Sequence, residues 1–95
     1  MLGLSKAGEQ NNMKKTLFEL ANEVQDEVTF MAFLQQLSKD RKDHVDEWQN
    51  DSIASFLEAA AEWGKESVDG LLHYEKTDNP WKRCAQIMYM GKIYE

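Results

Sequence analysis

Ser52-Ile53-Ala54-Ser55-Phe56-Leu57-Glu58-Ala59-Ala60-Ala61-Glu62-Trp63 is the stretch on which the fold turns. Ile53, Phe56, Leu57, Ala60 and Trp63 recur at intervals of three and four, the spacing that gathers side chains on one face of a helix. The alanine run adds intrinsic helix preference. Ser52, after Asn50 and Asp51, supplies an N-cap. The buried stripe extends to Ser67 or Val68, and Asp69-Gly70 stops the helix because glycine accepts a left-handed backbone. Gly64 inside this segment costs about 1 kcal/mol relative to alanine, so either a neighbour packs close there or the helix bends.

Working outward, Phe30, Phe33, Leu34 and Leu37 repeat the same spacing behind Asp26 as N-cap and Thr29 at the third helical position. The stripe is lost in Ser38-Lys39-Asp40-Arg41-Lys42-Asp43-His44, which puts the end of this helix near Arg41. Val45 and Trp48 then pin a polar connection, Trp48 acting as an aromatic plug. Met13, Leu17, Leu20, Ala21 and Val24 define an earlier helix. Asn79-Pro80 opens the last one, asparagine as N-cap and proline at the first helical position. Its inner face is traced by Trp81, Cys84, Ala85, Met88 and Gly91 or Lys92, widened by Ile87 and Tyr94. No alternating strand pattern competes, so the expected fold is all-α, a compact bundle of four helices with short connections.

Composition bounds the function. The chain has 95 residues, with 17 Asp plus Glu against 11 Lys plus Arg and a formal net charge of -6. That is one domain, too short for two independent cores. Residues 1–12 have no apolar period and read as a flexible tail, leaving residues 13–95 as a single helical domain. The negative field disfavours nucleic acid and anionic membranes, and the basic clusters Lys14-Lys15, Lys39-Arg41-Lys42 and Lys82-Arg83 form no stripe. Lys82 and Arg83 read as solubilising residues on the outer side of the last helix. No apolar run reaches the length of a membrane helix, and no signal-peptide pattern is present. With a single cysteine the expected location is cytoplasmic.

Several segments together resemble a family of short bacterial proteins known only as a domain of unknown function. They are Leu17-Phe18-Glu19-Leu20-Ala21, Phe30 to Leu34, Trp48 to Trp63, Asp69-Gly70, Asn79-Pro80-Trp81-Lys82 and the terminal Lys92-Ile93-Tyr94-Glu95. The resemblance runs from about Lys15 to Glu95 and implies no catalytic residue. This chain departs from the family pattern at Leu71-Leu72, where a tyrosine-rich segment is commoner, and at Gly91, where alanine is usual.

Chemistry is sparse. Asp40, Asp43, His44 and Glu47 share one helical face at i, i+3, i+4 and i+7, a set able to ligate a divalent cation, but interleaved Lys39, Arg41 and Lys42 favour a solvated charged face. Asp43-x-x-Asp46 with Glu66-x-x-Asp69 is a degraded form of the acidic pairs that hold magnesium in all-α nucleotide pyrophosphatases. Cys84 is expected to be a buried structural cysteine, and His73 a turn residue. The aromatic residues carry more weight. Trp63 and Trp81 belong to buried stripes, whereas Tyr74, Tyr89 and Tyr94 are the candidate partner-binding residues, Tyr89 lying off the main stripe between Met88 and Met90.

The reading is therefore a small acidic non-enzymatic protein-binding domain, with a protein partner or a homodimer as the expected contact and no cofactor, metal or catalytic residue designated. Two alternatives carry distinct chemistry: an immunity-like inhibitor of a basic toxin, and a metal-dependent nucleotide hydrolase of all-α type.

Overall fold

Thr16, Asp26, Ser52 and Asn79 each place a side-chain oxygen over the first turn of a helix, and these four caps set the element boundaries. The computed structural model describes residues 15–95. Thr16 and Glu19 form a reciprocal box that starts α1, Leu17–Asn22. Asp26 accepts the Thr29 amide at 2.9 Å while Thr29 Oγ1 accepts the Asp26 amide at 3.0 Å, opening α2, Glu27–Asp43. Ser52 and Ser55 repeat the arrangement for α3, Ile53–Glu66. Asn79 accepts the Trp81 and Lys82 amides at 2.9 and 3.1 Å, with Pro80 as the first residue of α4, Pro80–Ile93. Each cap satisfies amides that a helix start leaves without partners.

The all-α architecture with four helices agrees with the sequence reading. The proposed tail and the Met13 end of the first helix lie outside the described residues. α2 runs two residues past Arg41, to Asp43. Its extension is held by a Lys39–Asp43 ion pair one turn apart and by Arg41 and Lys42, cations suited to the negative end of the helix. A 3-10 turn, Val45–Glu47, follows.

α4 is the common support. α1, α2 and α3 all pack on it, and α1 also touches α2, but α2 and α3 nowhere bring their Cα atoms within 8 Å of each other. Ala21, Val24, Phe33, Leu37 and Ala85 form the innermost core, with Phe30, Phe56, Trp81 and Met88 packed around it. Against α2 lies Trp81, its ring 5.6 Å from that of Phe30. α3 is met by Ile87 and Gly91; a Cβ on Gly91 would stand 2.7 Å from the Phe56 ring, so the absent side chain is what lets these helices approach.

Three expectations about burial fail together. Ile53 and Leu57 belong to the periodic stripe of α3, yet they are 80% and 55% exposed. Cys84 was expected inside and is exposed. At about 100° per residue, Cys84 falls on α4 between the side that carries Trp81 and Met88 and the side that carries Arg83, Ile87 and Gly91. α2 takes the first side and α3 the second, their Cα atoms stay more than 8 Å apart, and Cys84 on the strip between is left open to solvent. The stripe periodicity marks the apolar face correctly but cannot reveal that the opposite wall is missing. Of the tryptophans, Trp63 is buried at 5% exposure, while Trp81 is half-buried.

The connection after α3 turns at Ser67–Asp69, passes Gly70 at φ 85°, and closes a tight loop in which Leu71 and Tyr74 exchange backbone hydrogen bonds of 2.8 and 3.1 Å. Of the two residues offered as the end of the α3 stripe, Ser67 is buried and Val68 is exposed.

Candidate functional site

The gap between α2 and α3 is an open apolar trough of about 280 Å³. Leu34, Leu37 and Arg41 form its α2 wall, Ile53 and Phe56 its α3 wall, and Met88 of α4 its floor. Trp48 and the Asn50–Ser52 segment close one end. That end is built firmly: Trp48 stacks on Phe56 with ring centroids 5.7 Å apart and donates its indole N–H to Asp40 at 2.8 Å. Asn50 Nδ2 donates to the carbonyls of Gly91 and Tyr94 at 3.1 and 2.8 Å, tying the segment to α4. Arg41 reaches across the gap, donating from Nη2 to the Asp51 carbonyl at 3.0 Å. No carboxylate pairs with its guanidinium among the described residues. Outside the lining, Cys84 lies one turn of α4 before Met88, Leu57 one turn beyond Ile53 and Met31 one turn before Leu34, and all three are exposed.

A second cleft, of about 380 Å³, lies on another side of α4 and is lined by Phe18, Trp63, Tyr74, Tyr89 and Met90, with Asn22, His73, Glu75 and Gln86 at its polar margin. Two of the three candidate tyrosines therefore share one cavity. Tyr89 meets Phe18 edge-on at 5.8 Å. Tyr74 meets Trp63 edge-on at 4.9 Å and donates its hydroxyl proton to Gln86 Oε1 at 2.5 Å. Tyr94 lines neither cavity, and its hydroxyl donates to Glu66. That bond holds the Tyr94 proton and raises its pKa above the usual tyrosine value.

Behind Tyr74 stands Arg83, and here the solubility reading is corrected. Its guanidinium lies 5.1 Å from the Trp63 ring centroid and donates to the Gly64 carbonyl at 2.9 Å, Ser67 Oγ at 3.0 Å and Tyr74 Oη at 3.2 Å. It is a structural tie that caps the end of α3 and fixes the loop that follows. The sequence signal, an arginine beside a lysine one turn into a helix, does not distinguish this from an exposed residue.

The acidic set falls elsewhere. Asp40, Asp43, His44 and Glu47 do line one cleft, of about 390 Å³, but Lys15, Lys39 and Lys92 line it too. Asp40 accepts from Lys92 at 2.9 Å, both side chains nearly buried, and Asp43 accepts from Lys39 at 2.6 Å. Lys92 also stands 3.9 Å from Glu47, so each of the three carboxylates has a lysine within ion-pair distance, and the Lys39 contact lowers the Asp43 pKa. Among the described residues no three His, Cys, Asp or Glu side chains lie close enough to share a metal ion. Asp43 and Asp46 do not converge with Glu66 and Asp69, so the acidic-pair reading finds no common site there. No helix among the described residues is long and apolar enough to cross a membrane.

Fold and site together define a small all-α domain in which three helices rest on a fourth and leave an apolar trough open. The chain belongs to a family of unknown function (DUF7660), whose match covers residues 26–95. The match begins at Asp26, the N-cap of α2, and takes in the whole trough while leaving α1 outside. No curated protein and no solved structure shows a significant match to the chain.

Proposed function

We propose that the protein is a non-enzymatic protein-binding domain whose docking surface is the trough between α2 and α3. The observation that carries this reading is that two helices on adjacent sides of α4 nowhere bring their Cα atoms within 8 Å of each other, leaving Ile53 exposed on the wall of an apolar trough and Leu57 exposed one turn further along α3. Water-facing apolar area in a continuous groove is what a partner's side chains gain by covering. Cys84, the only cysteine, is exposed one turn of α4 from the floor residue Met88, so a probe on its sulfur lies beside that surface. A photo-crosslinker attached to its sulfur should give a discrete adduct in an extract of the source cells. Ile53→Glu and Leu57→Glu, both at exposed positions, should abolish that adduct without lowering the melting temperature. An adduct pattern unchanged by either substitution overturns the reading.

The tyrosine-lined cleft supports a second contact, because Tyr74 and Tyr89 share it with Phe18 and Met90, residue types that anchor interfaces. Tyr89→Ala should then weaken partner binding while Tyr94→Phe leaves it unchanged, as read by calorimetric titration of the captured partner.

A further inference from the structure

We infer that the occupant of the trough is an amphipathic helix of another protein, presenting apolar residues at i, i+3 or i+4 and i+7 and a carboxylate at the end that meets Arg41. This rests on the protein-binding reading above and names the chemistry of the partner. Three observations support it. The walls are two helices, α2 and α3, packed on a third that forms the floor, and the Cα atoms of the two walls nowhere come within 8 Å of each other, so the trough is open to side chains projected from one face of a helix laid along it. The lining is apolar along the walls and floor, Leu34, Leu37, Ile53, Phe56 and Met88, which suits the helix-in-groove mode of recognition. Arg41 is the one cation on the lining, and the carboxylate of neighbouring Asp51 is not within ion-pair distance of it. A guanidinium at the edge of an apolar groove offers planar, two-pronged donation that a carboxylate matches best.

A second copy of this chain is the less suitable occupant. Each copy carries a net charge of -6, so association of two sets like fields against each other. A partner helix instead adds its carboxylate at the single local positive charge.

The test is a displayed library of helical peptides of about fifteen residues, selected against the full chain and counted for dependence on the trough. Selected peptides should carry apolar residues at the groove spacing and Asp or Glu at one end, and should protect the Cys84 thiol from a maleimide dye. For the best binder, Arg41→Gln should weaken affinity about tenfold, and replacing the peptide's carboxylate by its amide should cost the same and no more in the Arg41→Gln background. If the selected helices show no acidic preference, or Arg41→Gln leaves their affinity unchanged, the inference about the partner falls while the docking surface stands. If sizing shows that the chain dimerises and that dimerisation alone protects Cys84, the occupant is a second copy and the inference is overturned. If no helix binds in a manner sensitive to Ile53→Glu, the inference is overturned, and the docking surface falls with it only if the Cys84 adduct is also unchanged by that substitution.

Discussion

Lys92 is the residue that composition alone would place wrongly. It is a lysine near the end of the chain, yet its side chain is 10% exposed, bonded to an Asp40 carboxylate that is 16% exposed and that also accepts the Trp48 indole N–H. Removing one member of such a pair strands a charge in a poorly solvated site, so Lys92→Met should cost about 3 to 5 kcal/mol in urea unfolding. The double variant Lys92→Met with Asp40→Leu should recover much of that loss, because the desolvation of both charges disappears with them. Arg83 is a parallel case. Arg83→Met should destabilise by about 2 kcal/mol or more, and Arg83→Lys should rescue little, since an ammonium cannot reach Gly64, Ser67 and Tyr74 together. Two titrations follow from single side chains. The Thr29 hydrogen bonds lower the Asp26 pKa, so its capping contribution is present above the ordinary carboxylate pKa and is lost as pH falls through the depressed value. Asp26→Asn should flatten the acid limb of a melting-temperature profile. Tyr94 shows the opposite sign: its raised pKa makes the Glu66 bond a source of stability below the ordinary tyrosine pKa, lost as pH rises through the raised one. Tyr94→Phe should remove that alkaline dependence.

At the level of elements, two helix glycines have different reasons for being there. A Cβ on Gly64 would meet Ile87 at 3.6 Å, an ordinary contact, so Gly64→Ala should gain up to about 1 kcal/mol of helix propensity. At position 91 the added atom would meet the Phe56 ring at 2.7 and 2.9 Å and the Phe56 carbonyl oxygen at 3.0 Å. Gly91→Ala should therefore lose about 1 to 3 kcal/mol through overpacking, despite its better propensity. Melting curves of the two variants should shift in opposite directions. The helix starts were legible because caps are local: Asp26, Ser52 and Asn79 act on amides two or three residues away. Burial was less so. The α3 stripe named Ala60 and Trp63 correctly as buried but also Ile53 and Leu57, because periodicity records which residues share a face and not whether another element covers it.

For the molecule as a whole, the trough was illegible for the same reason, since its existence depends on how far apart two successive helices sit on α4, which no local pattern in either of them records. The tyrosines singled out from the sequence were brought together only in part, Tyr74 with Tyr89, because Tyr94 follows the end of α4 to Glu66. The most exposed consequence of the architecture concerns synthesis. α4 follows α1, α2 and α3 in the chain, and apart from the contact between α1 and α2 those helices have no helix to pack on until it appears. A ribosome must release Pro80–Ile93 before the core can close, so folding is deferred almost to the completion of this segment. Nascent chains halted before Trp81 should be degraded by protease as readily as unfolded polypeptide, and resistance should appear in a single step once α4 has cleared the exit tunnel.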